Sequence, residues 1–381
     1  MPIPREIHVF ASHKGGTGKT QLCFQSACQY AEDNPATKVL IMDMTELGDA
    51  SKRCLGGSSQ DPRIIEQNCG KIFDIVNVAT QQAAEEAQRE AAAAEGNGSS
   101  SSSSGFGMGF GSMLGSLFGR GGNSAPAVVD TVGNAVQPSR WNEAVPENVY
   151  LISSGASHQD EQHRTRDDTV RIANALRESL EKTADTWKIF IDTDGDRRPS
   201  PSTRLAYALA DLCIIPLQPD ESDFQRLQPM FAMMAALWND GEMRCKIQMI
   251  VWNKLQVYKL TPSDLGSFTT PKVTAEMIAA LNNKLYQLAV QTEYSPLFHH
   301  AGAPSLQVFQ QSATCLVRDF PDTCAYPANA KGLPYCRMKP GKVVLRSGAT
   351  FAVQQAGIDS CVENIKDVVA RLDKMEIDDD L

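Results

Sequence analysis

"FASHKGGTGKTQ", residues 10–21, decides how this chain is read. The apolar run "IHVFA", 7–11, comes just before and reads as a short buried strand. "GKTQLCFQSACQYAED", 18–33, follows with apolar residues at helical spacing. Strand, glycine loop and helix together form the context that a phosphate-binding loop requires. Gly15, Gly16 and Gly18 let the backbone approach an anion closely, and successive N–H groups across Thr17 and into Gln21 form a nest backed by the helix dipole. Lys19 is placed to neutralise the β and γ phosphates, and the Thr20 hydroxyl to ligate Mg²⁺. The generic pattern G-x-x-x-x-G-K-[ST] has its first glycine where this chain carries His13. A second lysine, Lys14, stands within the same loop, although one cation is enough for one nucleotide.

Outward from the loop, strands and helices alternate. "KVLIMDM" (38–44), "VYLIS" (149–153), "WKIFIDTD" (187–194), "LCIIPLQP" (212–219) and "KIQMIVWNK" (246–254) read as buried strands. Helices are expected at about 165–184, 221–238, 273–290 and 350–373, and a short amphipathic one at 71–79. This alternation predicts an α/β fold, a mostly parallel sheet covered by helices on both faces. The 381 residues are read as a single domain carrying one long low-complexity insertion, at about 80–140, expected to be disordered. Within that stretch an Ala/Glu-rich segment leads into "NGSSSSSSG" and then "FGMGFGSMLGSLFGRGG". Its Phe106, Phe110, Leu114, Leu117 and Phe118 could dock a partner or a membrane surface, although the composition reads first as a disordered linker.

"KGGTGKT", 14–20, looks like the deviant Walker A box of the ParA/MinD group of P-loop ATPases. The resemblance extends through "KVLIMDMTELGDAS", "VYLISSG", "WKIFIDTDGD" and "DLCIIPLQPDESDFQRL", covers most of 7–255 outside the insertion, and fades after about 290. It implies an ATP- and Mg²⁺-dependent ATPase, slow and stimulated by a ParB-like or cargo-adaptor partner, that forms a homodimer when ATP is bound. It also implies partition or positioning of DNA or of a large assembly, in a cytoplasmic or nucleoid-associated setting. In such a dimer the lysine matching Lys14 reaches the partner's phosphates. Asp43 and Asp192 match the acidic residues ending two strands beside the loop and are expected at the metal, Asp43 also in catalysis. Pro216 and Asn253 match positions around the base, where the Asn amide reads the adenine edge.

The chain also departs from the pattern. The second aspartate of the first switch is replaced by Thr45, which can bond a water but cannot serve as a base near neutral pH. Slow hydrolysis is therefore expected, with Thr45→Asp turning over faster. In the second switch, "DTDGD" (192–196) replaces the family's D-T-P-P, so that Asp194 and Asp196 add charge near the expected metal. An ATP-binding regulatory protein with little hydrolysis, or a metabolic P-loop relative, remain the alternative readings.

Bulk properties limit the choice of function. A net charge of −9 excludes a wholly basic nucleic-acid binder, leaving Arg337, Lys339, Lys342 and Arg346 in "RMKPGKVVLR" as a local patch for nonspecific DNA. The ten cysteines include no C-x-x-C, which fits reduced thiols and argues against iron–sulfur carrier ATPases. Cys315, Cys324 and Cys336, with His299 and His300, match no common zinc spacing. No apolar run reaches the ~18 residues of a membrane span. The acidic tail after the last helix does not suit anionic lipid, so the apolar face of that helix (Ile358, Val362, Ile365, Val369, Leu372) is expected in the core.

Overall fold

The computed structural model describes residues 6–58, 130–153, 166–195 and 198–373. Seven parallel strands form one sheet in the order β3-β2-β4-β1-β5-β6-β7. They are β1 (Ile7–Phe10), β2 (Lys38–Met44), β3 (Val149–Ile152), β4 (Trp187–Thr193), β5 (Leu212–Leu217), β6 (Lys246–Leu255) and β7 (Thr314–Arg318). The connecting helices are α1 (Lys19–Asp33), α2 (Asp49–Cys54), α3 (Arg166–Glu181), α4 (Pro201–Leu209), α5 (Glu221–Asn239), α6 (Lys272–Gln291), α7 (Leu306–Ala313), α8 (Asp322–Lys331) and α9 (Gln355–Leu372).

Burial on both faces explains why the strands read as continuous apolar runs. Side chains still alternate between layers. Ile7 and Val9, Leu40 and Met42, and Ile189 and Ile191 pack under α3 to α7. Phe10, Ile41, Phe190 and Val251 pack under α1, α2, α8 and α9. The same alternation carries Asp43 and Asp192 onto the α1 face, directly opposite each other in the β2–β4 register. The chain leaves β1 in one direction, through α1 to β2, and passes to its other side from β4 through α4 to β5. The crevice beyond the strand ends at that reversal is where open α/β sheets bind ligands.

Several features differ from the sequence reading. The last helix starts at Gln355 rather than near 350, because Thr350–Val353 forms β9, an antiparallel partner of β8 (Gly341–Val344). Its apolar face is core as expected, with Ile358, Ile365, Val369 and Leu372 buried. The basic "RMKPGKVVLR" segment is thus part of a hairpin rather than a plain loop, and its Arg337 pairs with Glu32 of α1. Segment 71–79, the Phe/Gly-rich stretch and the insertion up to 129 lie outside the described residues. The end of the stretch assigned to the insertion is built against the sheet. Thr131 is fully buried, and Val136 exchanges two backbone hydrogen bonds with Leu151, covering the edge strand β3. Among the described residues no helix is long and apolar enough to cross a membrane.

Candidate functional site

A cavity of about 480 Å³ opens at the carboxyl ends of β1, β4, β6 and β7. Its wall includes Gly15, Gly16, Gly18, Lys19, Thr20 and Gln21 from the glycine loop and α1, together with Asn253, Lys254, Arg318, Phe320 and Tyr335. Thr17, Asp43, Asp192 and Pro216 are buried behind this wall. Lys14 lies elsewhere, beside His13 and α5.

The loop is held from within. The Ser12 hydroxyl donates to Lys14 O (2.9 Å) and shares a hydrogen bond with Thr17 Oγ1 (3.0 Å). Lys19 Nζ folds onto the same loop and donates to Ser12 Oγ (3.2 Å) and Lys14 O (3.3 Å). Gly18 takes a left-handed φ of 94°, and a Cβ there would meet Asn253 Nδ2 at 2.4 Å. Glycine is therefore required at 18 on both conformational and steric grounds. Asn253 turns out to have a structural duty that its position in the sequence does not reveal. Its Nδ2 donates to Thr17 O (2.7 Å), and its Oδ1 accepts from Lys254 N (2.8 Å), so it braces the phosphate loop from β6. Lys254 is the non-glycine residue with positive φ (60°) among those described, and such backbone strain concentrates at functional sites. Pro216 is tolerated inside the sheet because β1 ends opposite Ile214, so the missing N–H has no β1 partner to lose.

The two strand-end carboxylates have opposite environments. Asp43 accepts four hydrogen bonds: Thr45 N (3.0 Å) and Oγ1 (2.6 Å) on one oxygen, Ser51 N and Oγ (both 2.7 Å) on the other. It anchors the loop that leads into α2. The Thr45 hydroxyl also accepts from Asp49 N (3.1 Å), so both its donor and acceptor sides are engaged with protein and it is not poised on a water. An aspartate at 45 would set one carboxylate against another in a buried space, which works against the faster turnover expected from sequence. Asp194 accepts from Glu46 N (2.9 Å), which clasps the loop after β4 to the loop after β2; Asp196 lies outside the described residues.

Asp192, by contrast, is fully buried and neither oxygen has a well-formed hydrogen bond. Burial, and then the Asp43 charge, push its carboxyl well above the ordinary value, while Thr20, Lys19 and Arg53 act the other way. A buried carboxylate with free lone pairs beside the Thr20 hydroxyl is a donor set that suits Mg²⁺. A raised pKa also means the folded chain holds more protons than the unfolded one, so this group's contribution to stability falls as pH rises. Asp192→Asn is therefore expected to raise the melting temperature of the ligand-free protein by a few degrees at neutral pH while weakening Mg²⁺-dependent nucleotide binding. A lower melting temperature would contradict the assignment.

Lys14 Nζ donates to Asp223 Oδ1 at 2.7 Å. Asp223 stands in the first turn of α5 and is buried, whereas the Lys14 side chain is 35% exposed. Sequence reasoning gave no sign of this partner, nor of Arg53, Asn329 and Tyr335 at the cavity.

The fold is similar to that of Cyanothece McdA in its apo form, with a TM-score of 0.52 and 14% identity over 97% of this chain and 100% of that one. It is also similar to a Cyanothece McdA variant in complex with ATP (0.51; 14%; 97% and 96%) and to pnob8 ParA (0.51; 11%; 98% and 100%). No family model and no curated protein matches the sequence. Identities this low speak to architecture rather than activity: the chain has the fold of the ParA-like P-loop ATPases.

Proposed function

We propose that this chain is an ATP-dependent, dimerising switch ATPase of the ParA type, which partitions or positions DNA or a large assembly with the help of a stimulating partner. The observation that carries the reading is the division of labour between the loop lysines. Lys19 lies in the wall of the cavity, and Lys14 is held outside it by Asp223 of α5, from which it would be released to serve a second copy's nucleotide. Mg²⁺, held by Thr20 and through water by Asp192, would neutralise charge on the β and γ phosphates. Asn253 keeps one amide hydrogen and one carbonyl lone pair beyond its protein bonds. That pair matches N7 and the N6 amine of adenine, whereas guanine would oppose O6 to Oδ1. Lys339, Lys342 and Arg346 on or beside the β8–β9 hairpin are exposed, and with Arg337 they form the candidate surface for nonspecific DNA.

A second reading, an ATP-binding regulatory module with little hydrolysis, is favoured by one observation: position 45 carries a hydroxyl already engaged with Asp43 and Asp49. Light scattering with Mg²⁺ and either ADP or a non-hydrolysable ATP analogue tests the switch. The 41.5 kDa chain is expected to double in mass with the ATP analogue alone. A monomer in every condition would overturn the dimerising switch. Phosphate release with and without DNA then separates the ATPase from the regulatory module.

A further inference from the structure

α2, the helix that follows the Asp43-anchored loop, places Arg53 in the wall of the cavity. Its side chain is half-buried, and burial pulls the guanidinium pKa down. Its Nη1 donates to two neutral oxygens, Gln21 Oε1 and Asn329 Oδ1. Among the described residues no carboxylate pairs with it directly. Asp192 and Asp49 act on it only at longer range. Taking a cation out of water without an anion beside it is costly, and an anion bound there would relieve that cost.

The surroundings hold this cation in place. Gly332 ends α8 with a left-handed φ of 61°, and a Cβ there would strike Arg53 O at 1.9 Å. Asn142 Nδ2 reaches Cys54 O (3.3 Å) and Gly332 O (2.8 Å) and ties the ends of α2 and α8 together. Side-chain bonds then extend the link to Tyr335, because Gln21 Nε2 donates to Tyr335 OH at 3.0 Å. Arg53 therefore lines the same cavity as Lys19 and Thr20 and is bonded to Gln21, the residue that follows Thr20 in α1. In a phosphate loop the Lys and Thr serve the β and γ phosphates, which leaves the phosphate nearest the ribose for a cation set beside the next residue.

We infer that Arg53 is a second phosphate-binding cation, supplied in cis by the switch helix and directed at the α-phosphate of the bound nucleotide. This rests on the P-loop reading of the cavity and adds a residue to it. A guanidinium delivers two parallel hydrogen bonds to phosphate oxygens where an ammonium acts as a point charge. Because Arg53 also joins α2 to α1 and α8, occupancy of the α-phosphate site fixes the helix that carries the first switch. The contact requires no γ-phosphate, so ADP and ATP engage it alike, and discrimination between them is left to Lys14, Lys19 and the metal.

Calorimetric titration of adenosine, AMP, ADP and a non-hydrolysable ATP analogue into wild type, Arg53→Gln and Arg53→Lys tests the assignment. Arg53→Gln is expected to bind AMP, ADP and the ATP analogue each roughly 10- to 100-fold more weakly, with adenosine unchanged. Arg53→Lys is expected to recover part of the loss. Equal losses for adenosine would show that Arg53 only supports the cavity wall and would overturn the inference. So would a loss confined to ADP and the ATP analogue, or no loss at all. If wild type binds none of the four, the P-loop reading fails and takes this inference with it. If wild type binds and Arg53→Gln matches it, only this inference fails.

Discussion

Lys19→Ala is expected to bind ATP on the order of 100-fold more weakly than wild type while melting within a few degrees of it. The Lys19 ammonium is a buried cation at the mouth of the phosphate nest and donates to Ser12 Oγ and Lys14 O. These bonds fix the ammonium beside the glycine loop, where a charge-assisted hydrogen bond to a phosphate oxygen is among the stronger contacts a side chain supplies. The loop beneath it does not depend on the ammonium alone, because Ser12, Thr17 and Asn253 hold the backbone through their own bonds. Truncation should therefore cost affinity far more than fold. Titration of ATP with Mg²⁺, alongside a thermal melt, reads both quantities. Unchanged affinity would remove the phosphate-loop reading of residues 14–20, and a collapsed melting temperature would assign Lys19 a structural role instead.

Much of this site was legible because it is local. Residues 10–21 carry the strand end, the glycines, Lys19 and the helix start in one stretch, and the φ of Gly18 is what a nest at a helix N-terminus demands. Asp43 and Asp192 were legible as strand-end carboxylates, since buried parallel strands announce where they stop. Their different conditions were not, because they depend on Thr45 and Ser51 folding back onto one aspartate and leaving the other bare. The partners of Lys14 and Arg53 were hidden for a related reason. Asp223 is 209 positions from Lys14, and Asn329 is 276 from Arg53, so only tertiary packing joins them. Thr350–Val353 was read as the start of a helix because its apolar residues continue the pattern of α9. Pairing with Gly341–Val344 overrides that local signal, as strand partners commonly do.

Lys14→Gln is expected to abolish dimerisation by the ATP analogue while leaving ATP affinity of the monomer within about 3-fold of wild type, since Lys14 contributes nothing to the wall of its own cavity. The pair with Asp223 sharpens this expectation. The buried Asp223 carboxylate also lies near Arg226 (3.5 Å), and its backbone N–H donates to Asp220, so it is fixed in the first turn of α5. Lys14 is the mobile member, and to reach a partner's phosphates it must exchange this carboxylate for a phosphate oxygen. The ion pair therefore opposes the dimer by whatever it contributes to the monomer, and a pair with one partly exposed member contributes about 1 kcal/mol or less. Asp223→Asn should accordingly dimerise at an ATP-analogue concentration up to ~5-fold lower than wild type, with Arg226 left near a neutral amide. Sedimentation or light scattering across a nucleotide titration distinguishes the cases. Easier dimerisation in Asp223→Asn together with its loss in Lys14→Gln identifies Asp223 as the group that holds the trans-acting lysine in reserve. Impaired dimerisation in both variants would instead make the pair part of the dimer-competent loop, and wild-type behaviour in both would reduce it to a surface contact.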